Sequence, residues 1–219
     1  MAVGTEGDLA TSHRIAANLR REILAGKYPP GTRIRQEDIA EQFGASRSPV
    51  REAFRMLEAD GLITLVANTG AWISQLSLSE CEEMYQIRER VEPLLLRTSM
   101  PNLTQENLER LQALAEQMEE SQDVEKFLQF DREFHLLSYS GASTALLGDM
   151  VQRLWNTTQH YRRAYTRLLA TDGFKTAHYE HHLLLAAISR SDTEDAERIL
   201  YGHIRRTRLE LANHPEVFA

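Results

Sequence analysis

The stretch "GASRSPVREAFRMLEADGLI", residues 44–63, decides the fold of the first third of the chain. Its apolar side chains recur every three or four residues, which predicts one amphipathic helix that buries them. A serine can cap the start of this helix, and a glycine can end it. Three arginines spaced four residues apart line a second, cationic face: Arg47, Arg51 and Arg55. The segment therefore offers one face to a core and one face to an anionic partner.

The segments on either side complete a recognisable order of elements. Helices are predicted over residues 11–26 and over "RQEDIAEQFG", residues 35–44. Between them "KYPPGT" is a turn, because prolines fix φ and glycine permits unusual backbone angles. After the arginine helix, "LITLV" and "AWISQL" flank an Asn/Gly turn, which predicts a two-stranded hairpin. This order is that of a helix-turn-helix with a β-wing.

The N-terminal end of the arginine helix is suited to reading DNA. A helix-turn-helix places this end in the major groove, and the planar guanidinium of arginine can make two hydrogen bonds to guanine or clamp a phosphate. Arginines at this spacing also occur on ordinary solvated helix faces. The turn before the helix and the hairpin after it favour the DNA-binding interpretation. In the wing, Gly70 allows the backbone to approach a phosphate closely.

Charge and composition divide the chain near residue 76. Residues 1–76 carry nine Lys and Arg and nine Asp and Glu, so the net charge of −7 falls on residues 77–219. The second part is therefore poorly suited to bind nucleic acid, and we expect a DNA-binding domain at 1–76 and a second domain at 77–219. One cysteine, no signal-peptide pattern and no apolar run of about 18 residues predict a cytoplasmic protein without a membrane span.

The second domain is predicted to be helical throughout. Its helices are amphipathic and their connections are short, which favours an antiparallel bundle. The six predicted helices span 79–98, 104–119, 123–140, 143–169, 174–190 and 192–213. Ser143 is expected to cap the fourth of them. The predicted fold class is thus mainly α, with an N-terminal winged helix-turn-helix and a C-terminal antiparallel all-α bundle.

Histidines on the apolar faces of these helices indicate a metal site. "FDREFH" places Asp131 and His135 four residues apart on one helix face, and His181 and His203 each share a stripe with aliphatic residues. Neutral imidazoles with one carboxylate suit Zn, Ni, Mn or Fe, and the ligand set does not select among them. A single inward histidine is more often a core residue, but three helices that each present a ligand favour a metal. Two neighbours are alternatives to His181: His182 and His178.

Both halves of the chain resemble one protein family. "PPGTRIRQEDIAEQFGASRSPVREAFRMLEADGLI", followed by "NTGAWI", resembles the winged-helix domain of the GntR family of bacterial transcriptional regulators. "IRERVEPLL", "DREFH", "EHHLLLAAI" and "DAERILYGHI" resemble the FadR-type ligand-sensing domain of that family, called FCD. The resemblance implies a homodimer that binds double-stranded operator DNA and responds to a small effector.

The same resemblance assigns roles to individual residues. It implies that DNA is contacted by Arg47, Ser48, Arg51 and Gly70, with DNA backbone contacts from Arg33 and Arg35. The family's wing often has a basic residue where this chain has Thr69. It also implies a metal held by Asp131, His135, His181 and His203, with open coordination positions for a small carboxylate effector.

Three further residues are candidates for binding that effector. Arg88, in "IRERVE", matches a family position that faces the metal cavity and can pair with a carboxylate. The segment "LWNTTQHYRRAYTR" mixes aromatic and basic residues, and Tyr161 and Arg162 within it are expected to line the pocket. The alternative for this segment is a set of core aromatics with a solvated basic face.

Two other functions were weighed against a metal-dependent regulator. One is a regulator of the same class whose bundle binds an effector without metal, such as an acyl-CoA. The other is a metal-dependent enzyme fused to a DNA-binding head, since a histidine–carboxylate site with open positions is chemically competent. Two carboxylates adjoin the ligands, but Glu133 lies about 200° round its helix from them and Glu180 points aside. We therefore predict a regulator, in the usual case a repressor, and not an enzyme.

Overall fold

The computed structural model describes residues 6–67, 70–169 and 175–218. The expected hairpin turn with Thr69 and the expected helix break at "TDG" lie outside the described residues. The chain divides into two compact units: Met1–Leu76 with Arg153–His160, and Ser77–Gln152 with Tyr161–Ala219. The first division falls after Leu76, and a short piece of a later helix is grouped with the first unit.

The first unit contains three helices and a small sheet within the described residues. Its elements are α1 (Glu6–Leu24), β1 (Arg33–Ile34), α2 (Gln36–Phe43), α3 (Arg47–Ala59), β2 (Ile63–Val66) and β3 (Gly70–Ile73). The sheet is antiparallel in the order β1-β3-β2, with Trp72 opposite both Arg33 and Thr64. The predicted two-stranded hairpin was therefore incomplete. A strand of two residues is too short to show an alternating pattern in the sequence.

The helix α3 contributes the centre of the first unit's core. Val50, Phe54 and Leu57 are fully buried, and α3 packs on α1, where Ile15 and Leu19 are also fully buried. The predicted apolar face is therefore confirmed as a core face, because burying these side chains is what holds the helix against its neighbours.

Three residues, Gly44, Ser46 and Pro49, lie at or near the start of α3. Gly44, between α2 and α3, has φ of +57°, which glycine adopts without the steric penalty of a side chain. Ser46 occupies the N-cap position, where a serine was predicted, but its side chain makes no capping hydrogen bond. Pro49 in the first turn needs no amide donor and has φ suited to a helix.

The second unit is helical, and its helices begin and end close to the predicted residues. Its helices are α4 (Leu78–Ser99), α5 (Gln105–Glu120), α6 (Val124–Ser138), α7 (Leu147–Leu169), α8 (Lys175–Ser189) and α9 (Thr193–Ala212). Helix α4 packs on α9, α5 packs on α6 and α8, and α8 packs on α9. None of the helices in the described ranges is long and apolar enough to cross a membrane.

Side-chain caps mark the starts of several helices in this unit. Ser77 with Glu80, and Thr104 with Asn107, form reciprocal capping boxes at the starts of α4 and α5. The prediction for α7 was wrong by four residues, because the helix begins at Leu147 and not at 143. The hydroxyl of Thr144, rather than Ser143, accepts a hydrogen bond from the Gly148 amide near this start.

We expect Leu57→Ala to lower the free energy of unfolding of the first unit by about 2–5 kcal/mol. The leucine is fully buried, so its truncation removes apolar contacts and leaves a cavity. Chemical denaturation of the full chain, followed by fluorescence and circular dichroism, measures the change.

The matched control is Leu9→Ala on α1, because this leucine is about half exposed. It should cost less than about 1 kcal/mol. Equal losses for the two leucines would contradict the assignment of the α3 apolar face to the core.

Candidate metal centre and DNA-binding surface

Four side chains of types that can ligate a metal meet inside the second unit. Asp131 and His135 lie one turn apart on α6, His181 lies on α8 and His203 lies on α9. One potential ligand atom from each lies within 4.8 Å of all the others. The Nε2 atoms of His135 and His181 are 3.2 Å apart, and Asp131 Oδ1 is 3.1 Å from His181 Nε2. The structure thus brings together the four residues that the family resemblance singled out.

Burial keeps the three imidazoles neutral. It lowers the pKa of His181 to about 3 and that of His203 to about 4, and it holds the pKa of His135 well below the ordinary value. The neighbouring imidazoles of His181 and His203 lower the pKa of His135 further, since a second positive charge beside it would be repelled. Neutral imidazoles present lone pairs, and with the Asp131 carboxylate they form a donor set that fits a divalent transition metal.

The orientation of His203 is fixed by a carboxylate outside the cluster. Glu180 Oε2 accepts a hydrogen bond from His203 Nδ1 at 2.7 Å, which leaves Nε2 of that ring as the lone-pair nitrogen. Arg206 in turn donates to Glu180 Oε1 from Nε at 2.7 Å. Burial alone would raise the pKa of Glu180, but the hydrogen bonds from Arg206 and His203 outweigh it and lower the pKa to about 2.

This role of Glu180 was not predicted. The carboxylate was expected to point aside from the candidate ligands, but it lies on the outer side of His203. A carboxylate that holds the far nitrogen of a ligating histidine is a common arrangement at metal sites. The sequence did contain one indication of a carboxylate partner here. His203 and Arg206 lie three residues apart on one helix face, where both can bind the same carboxylate.

The second carboxylate oxygen of Asp131 accepts a hydrogen bond from a buried arginine. Arg162 on α7 donates from Nη2 to Asp131 Oδ2, while Oδ1 faces the histidines. Burial lowers the pKa of Arg162 to about 10, so the guanidinium stays cationic at neutral pH. Arg162 is therefore adjacent to the cluster. The ring of Tyr161 stacks on Phe218 of the C-terminal turn at 4.7 Å, and its place in an effector pocket stays a prediction.

Arg88 on α4 is buried near the same cluster, with an internal partner. Its Nε donates to Glu92 Oε1 at 2.5 Å, and the hydroxyl of Tyr139 donates to Glu92 Oε2 at 2.7 Å. The pKa of His135 is lowered mainly by burial and by the imidazoles of His203 and His181, and the positive charge of Arg88 lowers it further. The partner Glu92 was not foreseen, although it follows Arg88 by four residues on the same helix.

The two alternatives to His181 lie elsewhere. His182 Nε2 is 3.0 Å from Glu119 Oε2, and more than a third of its side chain is exposed. His178 packs edge-on against Phe127 with ring centroids 5.8 Å apart. Of the three histidines on α8, His181 is the one whose ring nitrogen reaches the cluster.

Four arginines of the first unit line one groove. Arg47, Ser48 and Arg51 are exposed at the N-terminal end of α3. A groove beside this end is lined by Arg33, Arg35, Arg51, Arg55 and Gly70, among others. Gly70 has φ of +115°, a conformation that a side chain would strain. Four of the six predicted DNA contacts thus line one groove, while Arg47 and Ser48 lie exposed at the start of α3. The contact of all six with DNA stays a prediction.

Two family descriptions match this chain. Residues 11–73 match the family "Bacterial regulatory proteins, gntR family", and residues 83–206 match the "FCD domain". The chain belongs to the GntR family of bacterial transcriptional regulators, in the group with an FCD domain. This is a family of DNA-binding regulators and not of enzymes, which confirms the resemblance and the class predicted from the sequence.

Individual relatives are also named as HTH-type transcriptional regulators. The chain is 27% identical over 194 residues to the HTH-type transcriptional regulator McbR of Escherichia coli K12, covering 85% of this chain and 86% of McbR. It is 25% identical over 191 residues to the HTH-type transcriptional repressor RspR of the same organism, covering 85% and 82%.

Solved structures show the same fold. The structure of E. coli McbR/YncC superposes with a TM-score of 0.81 at 24% identity, covering 93% of this chain and 97% of that chain. A GntR regulator from Rhodococcus sp. RHA1 superposes with a TM-score of 0.78 at 22% identity, covering 94% and 99%. At this level of identity the likeness concerns the fold, and it confirms the predicted fold class.

We expect the metal-free protein to lose stability as the pH falls below about 6.5. The unfolded chain binds protons at histidine near that pH, whereas His181 and His203 stay neutral in the folded state until about pH 3 and pH 4. Stability is therefore fully present above pH 6.5 and is lost below it, by about 1.4 kcal/mol per pH unit for each such histidine. Urea unfolding in chelator between pH 7.5 and 5 measures the slope.

In the same titration, His203→Gln should reduce the dependence of the unfolding free energy on pH by about 1.4 kcal/mol per pH unit, which is the contribution of one histidine. His182→Gln, which removes an imidazole outside the cluster on α8, is the matched control and should keep the wild-type slope. Equal slopes for wild type and His203→Gln would show that His203 is not held neutral by folding.

Proposed function

We propose that the protein is a FadR-type transcriptional repressor whose operator binding is controlled by a small carboxylate effector bound at a metal. The observation that carries this proposal is the buried convergence of Asp131, His135, His181 and His203 within 4.8 Å. The proposal assigns residues 1–76 to operator binding and residues 77–219 to effector sensing.

The four converging residues would hold the metal. Zn, Ni, Mn and Fe all suit three imidazoles and one carboxylate. When bound, the metal supplies a Lewis-acidic centre to which an effector carboxylate can bind. The chain's own residues prepare the site: burial keeps the imidazoles neutral, Glu180 orients His203, and Arg162 holds Asp131.

The DNA-binding part of the proposal rests on α3 and the wing. Exposed Arg47, Ser48 and Arg51 would contact base edges and phosphates in the major groove. Arg33, Arg35 and Gly70 would contact the DNA backbone. In a homodimer, two such heads would span two half-sites about one helical turn apart.

Effector control requires a difference between two states of the protein. A ligand shifts an equilibrium only by binding its two states unequally. We propose that the effector at the metal favours the state of the dimer that releases the operator, which makes the protein a repressor relieved by its ligand.

The main rival is a regulator of the same family with an effector that needs no metal, such as an acyl-CoA. The cluster argues against this rival, because the buried neutral imidazoles of His135 and His181, with His203 partly buried beside them, are a costly arrangement for a core with no cation to bind. Elemental analysis of the purified protein separates the two proposals.

For the DNA-binding surface, we expect Arg47→Ala and Arg51→Ala each to weaken operator binding by about tenfold or more, and the double variant to abolish it. Each change removes a guanidinium that can pair with a base or a phosphate. A gel-shift titration at fixed salt, on an operator selected from random DNA by the wild-type protein, measures the loss.

The matched control is Arg198→Ala, an exposed arginine on α9, which should leave the affinity within twofold. Circular dichroism should show an unchanged fold in all variants. Wild-type affinity in the double variant would remove these arginines from the DNA surface.

For the metal, we expect near-stoichiometric content in the purified protein and its loss in His135→Ala and His203→Ala. Glu180→Gln should retain the ligands but lower the metal affinity by about tenfold, because the orientation of His203 is weakened. Elemental analysis and competition with a chromophoric chelator give these quantities.

His182→Ala serves as the control on α8 and should bind metal as the wild type does. The ligand assignment fails if His135→Ala and His203→Ala keep the full metal content. A metal affinity unchanged in Glu180→Gln would mean that His203 does not depend on Glu180 for its orientation.

A further inference from the structure

The wing, which is formed by β2 and β3, has no charged side chain of its own. Residues 61–79 include both strands and contain no Lys, Arg, Asp or Glu. Contacts with DNA phosphates depend largely on positive charge. A wing that binds a phosphate through a cation must therefore take that cation from a neighbouring element.

Arg33 on β1 is the cation that the sheet brings to the wing. It lies opposite Trp72 of β3, so the two side chains point to the same side of the sheet. Gly70 faces the same side, because it precedes Trp72 by two residues on the strand. Ile34 and Ala71 face the other side and are buried in the core. Among the residues of the three described strands, Arg33 is the only charged one.

The guanidinium of Arg33 lies close to both Trp72 and Gly70. Its central carbon is over the indole ring, 5.9 Å from the ring centroid, at which an arginine is attracted to an aromatic face. A β-carbon built on Gly70 would lie 3.5 Å from Arg33 Nε, so the guanidinium lies beside the position where a side chain would project. Arg47 is 3.3 Å from Glu37, whereas Arg33 has no ion-pair partner in the part of the chain that the structure describes. The charge of Arg33 is therefore available to an external anion.

This guanidinium also borders the groove beside α3. Arg33 and Gly70 line that groove together with Arg51 and Arg55. A phosphate bound at Arg33 would thus lie on the same surface as Arg51, which is proposed to enter the major groove. The strand β1, rather than the hairpin, joins the positive charge of the wing to that of the helix.

We propose that Arg33 supplies the phosphate contact of the wing and that Trp72 is the residue that positions its guanidinium. The inference rests on the proposed function, because it takes the surface of α3 as the one that binds DNA. An exposed arginine loses side-chain entropy when it binds, and an aromatic face that restricts it beforehand reduces this loss. Gly70 leaves room for the guanidinium beside the strand.

Gel-shift titrations of the full chain at several salt concentrations test this inference, on an operator selected from random DNA by the wild-type protein. Arg33→Gln should weaken binding by about tenfold at the lowest salt and reduce the slope of log affinity against log salt by about one, because one phosphate contact is lost. Trp72→Leu should weaken binding by about threefold, because Arg33 is then less restricted. Trp72→Phe keeps an aromatic face and should stay within about twofold of the wild type.

A double variant separates positioning from a direct or structural role of Trp72. In the Arg33→Gln background, Trp72→Leu should cause no further loss, since there is no guanidinium left to position. The matched control is a second arginine over an aromatic ring, Arg90 at 5.1 Å from the ring centroid of Tyr201 in the second unit. Arg90→Gln and Tyr201→Leu should change neither the affinity nor the salt slope.

Two results would overturn the inference directly. Wild-type affinity and salt slope in Arg33→Gln would remove Arg33 from the phosphate contacts. An equal loss from Trp72→Leu with and without Arg33, or no loss at all, would show that Trp72 does not act through Arg33.

A further variant covers the case in which circular dichroism shows that Trp72→Leu does not fold. Arg33→Lys keeps the charge, but an ammonium stacks on an indole less well than a guanidinium does. It should keep the wild-type salt slope and bind about threefold more weakly. Full wild-type affinity in Arg33→Lys would overturn the role of Trp72. If the wild type selects no sequence from random DNA, operator binding itself fails, and the inference fails with it.

Discussion

The burial of three imidazoles around one carboxylate is the constraint on which the second unit depends. Protonating any of these histidines would place a charge in a low-dielectric interior, so folding holds them neutral. The surrounding charges are arranged to satisfy the same constraint. Arg162 pairs with Asp131, and Arg206 pairs with the carboxylate of Glu180 that holds His203. The resulting donor set suits the divalent cation that is proposed to bind there.

The first unit meets a different constraint, which is to give one short helix two opposed surfaces. The apolar side of α3 closes the core against α1, while Arg47 and Arg51 remain exposed on its other side. The net charge of −7 is therefore misleading about the chain as a whole. Residues 1–76 are neutral overall, and the acidic excess lies in the part that is proposed to sense the effector.

Most of the fold could be predicted, because it follows from local periodicity. The helices of the second unit begin and end within a few residues of their predicted bounds, except for the start of α7 at Leu147. The strand Arg33–Ile34 was missed, because two residues carry no periodic signal. The four clustered residues could be named from their positions on the apolar helix faces, and the family resemblance pointed to the same four. Glu92 follows its partner Arg88 by one helical turn, so that pair was open to prediction from spacing. The contact of Glu180 with His203 joins two helices, and no spacing rule within one helix predicts it.

X-ray absorption spectroscopy at the metal edge of the purified protein tests the central claim most directly. The account predicts a first shell of nitrogen and oxygen with the multiple-scattering pattern of three imidazoles, reduced by one imidazole in His181→Gln. A metal shell without imidazole scattering, or one that is the same in His181→Gln, would contradict the assignment of this cluster as the metal centre.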